Sequence, residues 1–282
     1  MTMMKLRNSA YSRRANHLIL KKMDIKNDLK LAVLIDADNV PSSNVKEMFE
    51  EIAKYGTPTF KRIYADWTKP HVSGWKNVLL ENAITPIQQY SYSTGKNSSD
   101  SALIIDAMDI LYTGKVDGFC IVSSDSDFTR LATRLREAGM KVIGIGQKKT
   151  LQPFITACDK FIYIEILKSK AGSPDESENE TEVEGTAKKP ARNTRKETPK
   201  TTKIDAPTFR ILSDSIDDLA DENGWTYLGE LGNLILKKKP DFDPRNYGFS
   251  KMLPLIKSLN AFEIDIRDIG RGNTKHIYLR KK

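Results

Sequence analysis

Cysteine is nearly missing from this 282-residue chain, with only Cys120 and Cys158, far apart and each among apolar neighbours. Neither a CxxC pair nor Cys/His ligand spacing occurs, which argues against a zinc site or a disulfide scaffold and fits a reducing cytoplasm. Histidine is scarce too, at three residues, and none lies in the acidic motifs described below. Imidazole general-base chemistry is therefore not expected, and His71, the best placed of the three, reads as a surface residue. Long apolar runs are also lacking: none approaches the ~18 residues of a membrane span. The basic N-terminal stretch has no compact apolar segment followed by a small-residue cleavage site, so it does not read as a signal peptide.

A hydrophobic fraction of 39% and a charged fraction of 29% suit a soluble globular chain with some unstructured length. The length exceeds the ~100–200 residues of one ordinary domain, so two are expected. The net charge of +8 is unevenly placed: residues 1–30 carry +6, residues 31–166 carry −1, residues 167–204 carry +2 and residues 205–282 carry +1. The basic excess sits in the tails, which suits either a nucleic-acid partner or a merely solvated extension.

Residues 31–36 form a continuous apolar run ending in an acid. Similar runs recur at 59–65, 83–88, 118–123, 141–146 and 160–164, with segments of near-3.6 spacing between them, such as Val45, Met48, Phe49 and Ile52. Short buried strands alternating with amphipathic helices predict an α/β domain with a doubly wound, mainly parallel sheet over residues 28–167. Residues 1–27 form a basic extension. Residues 168–204, rich in Pro, Ser, Thr, Glu and Lys, cannot bury enough apolar surface to offset ordering entropy, so a disordered linker is expected. Over residues 205–282, three helical patterns precede two alternating segments around Gly270–Asn273, the order of a small winged helix-turn-helix. Trp225, Tyr227 and Phe249 read as core of that module.

Ligands of open α/β sheets gather beyond the carboxyl ends of the strands. Asp36-Ala37-Asp38-Asn39 closes the first strand, Ser123-Ser124-Asp125-Ser126-Asp127 closes the fourth, and Asp100 opens a helix between them. One such acid alone is commonly a helix cap or turn residue. Several at neighbouring strand ends form an acidic pocket that calls for cations, and oxygen-only donors suit Mg²⁺ or Mn²⁺. Asp106, six residues along the helix from Asp100, either supports the rim or faces solvent.

The runs LIDADN, KNSSDSALIIDAMD and VSSDSDF, followed by a helix and GMKVIGIG, resemble the NYN branch of the PIN-like nucleases over about residues 31–165. The resemblance implies a PIN-like, Rossmann-like fold and metal-dependent RNA hydrolysis, expected to be endonucleolytic. Its catalytic, metal-binding acids match Asp36, Asp100 and Asp125, with Asp127 as a fourth. Asn39 and Ser124 match polar rim positions, and Lys96 matches a basic residue ahead of the helix acid. One cation would lower the pKa of a bound water and a second would stabilise the departing oxygen.

Residues 207–280 resemble the LOTUS (OST-HTH) winged helix, through Tyr247-Gly248-Phe249-Ser250-Lys251 and the closing hairpin. That implies RNA binding or docking of a protein partner. Tyr247 is the candidate for base stacking, and Lys251, Arg271 and Lys275 for phosphate contacts. Self-association stays open. Two other functions fit parts of the pattern. The chain could be an RNA-binding adaptor with a vestigial pocket, or a haloacid-dehalogenase-like phosphatase with Asp36 as nucleophile and Asp38 as acid. The second also needs a Ser/Thr and a Lys in set places, which Ser91 and Lys115 fit poorly.

Overall fold

The computed structural model describes residues 28–90, 98–167, 204–268 and 275–282. The expected N-terminal extension and nearly all of the expected linker lie outside them, as do Lys96 and Arg271.

Six strands form one sheet: β1 (Lys30–Asp36), β2 (Thr57–Ala65), β3 (Thr85–Gln88), β4 (Gly118–Val122), β5 (Lys141–Gly146) and β6 (Lys160–Tyr163). Every pairing is parallel, in the order β3-β2-β1-β4-β5-β6. That is the doubly wound order, with its topological switch between β1 and β4. The apolar runs are continuous because helices cover both faces. Along β1, Leu31, Val33 and Ile35 pack with α1 (Val45–Ile52), α2 (Ser73–Leu79) and α6 (Ile164–Leu167). Ala32 and Leu34 point the other way, against α3 (Ser98–Thr113), α4 (Thr129–Glu137) and α5 (Gln152–Ala157).

In the C-terminal part, α7 (Ala206–Leu219), α8 (Leu228–Lys238) and α9 (Met252–Ser258) surround Leu212, Ile216, Leu231, Ile235, Leu255 and Leu279. Asp205 caps α7 by accepting a hydrogen bond from the Thr208 amide, and Pro207 fits the opening turn. A hairpin of β8 (Phe262–Asp268) and β9 (Lys275–Lys281) is joined by the two-residue β7 (Thr226–Tyr227), giving an antiparallel sheet in the order β7-β9-β8. The helices and hairpin fall where the sequence places them. The faces of three aromatics do not. Tyr247, the candidate stacking residue, is only 8% exposed, and its hydroxyl donates to Thr208 Oγ1 in the core. Trp225 and Tyr227, expected in the core, are half-exposed.

The two parts are in contact. The segment between α8 and α9 lies along the free edge of β6: the Phe161 amide donates to the Pro240 carbonyl at 2.9 Å, and Lys160 Nζ to that of Phe242 at 2.9 Å. The Tyr163 hydroxyl donates to Asp241 Oδ2 at 2.8 Å. Arg245 forms two bonds to Glu51 of α1, at 2.9 and 2.8 Å, and two more to Asp243. A bare sheet edge invites unwanted pairing; this one is covered by the chain's own winged helix.

Candidate active site

The carboxyl ends of β1 and β4 meet at the switch point, and their side chains are wired together. Asp36, 1% exposed, accepts hydrogen bonds from Ser123 Oγ and Asn39 Nδ2, both at 2.7 Å, and from the Asp38 amide at 3.1 Å. Ser123 Oγ also accepts from the Asp125 amide at 3.0 Å, so one hydroxyl ties the two strand ends together. Asp125 in turn accepts from the Asp127 amide and caps the short 3₁₀ turn Ser126–Phe128. Asp125 is half-buried and Asp127 exposed. The first turn of α3 supplies Asp100, which is buried.

These acids lie within electrostatic reach of one another. Burial pushes the Asp100 carboxyl up to about 7, helped by the charges of Asp36, Asp125, Asp38 and Asp127 in that order. Burial also raises Asp36, against the hydrogen bonds from Ser123 and Asn39. Like charges gathered in a crevice disfavour ionisation of their most enclosed member. Among the described residues, no group of three or more His, Cys, Asp or Glu side chains stands in a geometry that could hold a metal ion.

The remaining candidates separate. Asn39 anchors Asp36. Ser124 is largely buried, and its hydroxyl accepts from the Gln147 amide at 2.9 Å, which ties β4 to the end of β5. Lys251 and Lys275 are exposed on the winged helix, far along the chain from the crevice. Asp106 pairs with Arg62 and Tyr64 and fastens α3 to β2, a structural role. Lys115 precedes the amino end of β4, opposite Asp36 and Asp125, which removes the cation that a dehalogenase-like phosphatase needs beside its acids.

Two residues were missed by the sequence reading. His71 is exposed, as the sequence suggests, but it has a partner there: its Nε2 lies 2.7 Å from Asp38 Oδ1, while Ser99 Oγ donates to Asp38 Oδ2 at 3.2 Å. The second is Ser123. Both follow carboxyl strand ends, β2 and β4, so the rule that located the acids applied to them as well.

The model of the NYN domain family matches residues 30–165, and that of the OST-HTH/LOTUS domain matches residues 203–274. The chain pairs an NYN domain with an OST-HTH/LOTUS domain. No curated protein matches the chain. Among solved structures, a Vibrio parahaemolyticus protein of unknown function shares 22% identity over 49% of this chain and 94% of its own, with a TM-score of 0.41. An uncharacterized Nitrosomonas europaea protein shares 28% identity over 36% of this chain and 92% of its own, with a TM-score of 0.27. The NYN domain has a nuclease-type fold and the OST-HTH/LOTUS domain is an RNA-binding type, so the pair belongs to RNA-related function. Among the described residues no helix is long and apolar enough to cross a membrane.

Proposed function

We propose that the protein is a divalent-cation-dependent ribonuclease that cuts RNA internally in the crevice between β1 and β4. The observation that carries this reading is the Asp36–Ser123–Asp125 arrangement at the switch point, with Asp100 buried beside it. The support for a cation is the chemistry of the donors, not a preformed geometry among the described residues. Asp36, Asp100, Asp125 and Asp127 offer only carboxylate oxygens, which suit Mg²⁺ or Mn²⁺. Burial first and the neighbouring carboxylates second raise Asp100, and a bound cation would offset the charge among them. When bound, such a cation neutralises phosphate charge and lowers the pKa of a water.

The chain's own residues do the rest. Ser123 and Asn39 hold the Asp36 carboxylate in one orientation, and the capped 3₁₀ turn fixes Asp125. Asp100 gives up its proton when the pocket's charge is offset. Asp38, held by Ser99 and His71, places an imidazole at the rim, where it can contact phosphate. The winged helix supplies RNA contacts through exposed cations such as Lys251 and Lys275. The two cysteines are buried and unpaired, which suits a cytoplasmic setting.

The test is incubation of the full chain with labelled single-stranded RNA in Mn²⁺, Mg²⁺ or EDTA. Cleavage should need the cation and fall at least about 100-fold in Asp36→Asn and Asp125→Asn, the scale of lost electrostatic stabilisation. Full activity in EDTA, or undiminished cleavage by both variants, would sink the reading.

A further inference from the structure

The winged helix carries an open sheet face of aromatic and arginine side chains, with two acids, Glu263 and Asp265, among them. On the outer side of β7, β9 and β8 stand Trp225, Tyr227, His276, Tyr278, Arg267 and Arg280, all half-exposed. They form one continuous series of contacts. The Arg280 guanidinium lies 4.7 Å from the Trp225 ring, and that of Arg267 lies 5.3 Å from the same ring and 4.2 Å from Tyr278. Tyr278 meets Tyr227 at 5.8 Å, and Tyr227 stacks on His276 at 5.0 Å with planes 22° apart. Core packing does not account for this series, because the inward neighbours Thr226, Ile264 and Leu279 make the core contacts from the opposite side.

Two details turn the series into a surface for a ligand. Asp265 and Glu263 each hold one guanidinium, through Arg267 Nε at 2.7 Å and Arg280 Nε at 3.0 Å. The acids thereby fix the planes of the two arginines instead of leaving them to solvent. Trp225 lines two open clefts, one of about 780 Å³ edged by Lys257 and Lys282 with the arginine-bound Glu263 and Asp265, the other of about 410 Å³ beside Tyr227 and His276 with Asp221 and Glu230 at its edge.

Flat, oriented π surfaces edged by cations match unpaired nucleobases, which stack on aromatic rings and guanidinium planes while their phosphates meet lysine. A duplex hides its base faces and gains nothing here. We propose that this sheet face, rather than Tyr247, is the base-stacking platform of the winged helix, and that it takes single-stranded RNA. The proposal rests on the ribonuclease reading only in taking RNA as the ligand class.

Trp225 reports on its own site. Trp75 is buried and Trp67 is bonded to Ile87, so replacing Trp67 by Phe leaves Trp225 as the exposed emitter of the chain's three tryptophans. In the full-length Trp67→Phe/Asp125→Asn chain, oligo(A) RNA should quench emission, oligo(A)·oligo(U) duplex should not, and adding Trp225→Phe should abolish the quench. Affinity for oligo(A) should fall about tenfold in Tyr278→Ala and in Arg267→Lys, the second keeping the charge but losing the flat face. Circular dichroism of each variant separates misfolding from lost stacking, and Arg267→Lys, the milder change, carries the decision if Tyr278→Ala fails to fold. Unchanged affinity in both Tyr278→Ala and Arg267→Lys, or equal quenching by duplex, would overturn the platform while leaving the nuclease reading standing. Cation-dependent cleavage failing while the quench persists would sink the nuclease reading and leave the platform.

Discussion

Removing Arg245 should release the winged helix from the nuclease-type domain without unfolding either. Arg245 is the hub of the contact, with two hydrogen bonds to Glu51 and paired bonds to Asp243. Glu51 is 3% exposed; burial alone would raise its carboxyl, yet the bonds from Arg245 and Lys54 outweigh that and hold it down to about 2. Arg245→Ala strands two buried carboxylates, leaving Glu51 with Lys54 and Asp243 with Lys160 at 3.9 Å. Breaking a buried ion pair by removing one partner costs about 3–5 kcal/mol. At about 1.4 kcal/mol per tenfold, the docked state then loses roughly two to three and a half orders of magnitude. Hydrogen exchange reads this directly, because the Phe161 amide donates across the interface to the Pro240 carbonyl. Its protection should fall by that factor, while the central β1 and β4 amides keep theirs. Undiminished protection at Phe161 would refute the reasoning, and so would equal loss at every core amide, which would mean global unfolding.

Two further predictions concern the nuclease-type domain itself. Asp100 titrates near 7 in the folded chain against an ordinary 3.8, so its contribution to stability is complete below 3.8 and is lost as pH rises through about 7. The cation-free protein should therefore lose melting temperature across that window relative to Asp100→Asn, Mn²⁺ should cancel the loss, and parallel melting of the two proteins would contradict it. Gly144 faces the Phe161 ring, where an added Cβ would lie 2.5 Å from a ring carbon and 2.9 Å from Cys158 Sγ. Gly144→Ala should cost about 1–3 kcal/mol in urea unfolding, and a change under about 0.5 kcal/mol would show that β6 gives way easily.

The parallel sheet was legible because its strands are continuous apolar runs, a pattern forced by helices on both faces. Asp36 and Asp125 were legible because they end two of those runs. Other features depend on contacts that local pattern does not carry. Glu51 looks like a solvent-facing charge on an amphipathic helix, and its burial comes from Arg245, 194 positions away. His71 reaches Asp38 only because the loop after β2 folds back over the end of β1. The two residues of β7 are too few for alternation to reveal a face, so their aromatic character alone points Trp225 and Tyr227 to the core. Tyr247 sits in a 3₁₀ turn ended by Gly248 at φ 85°, and that tight turn drives the ring inward.

Docking changes how RNA affinity divides between the two parts. Two loosely tethered modules would bind with an effective concentration set by the linker's length and stiffness. Here the Pro240–Arg245 segment fixes one domain against β6 and α1, so orientation is set by the interface instead. Deleting residues 205–282 would then do two things at once. It would remove the basic and aromatic contacts of the winged helix, and it would leave the β6 edge bare and Glu51 and Lys160 without their main partners. A loss of RNA binding after such a deletion mixes a missing surface with a damaged nuclease-type domain. Arg267→Lys alters only the outer sheet face, and Arg245→Ala only the interface. Their effects should add if RNA spans both parts independently, and should couple if cleavage needs the crevice and the platform held in one fixed relation.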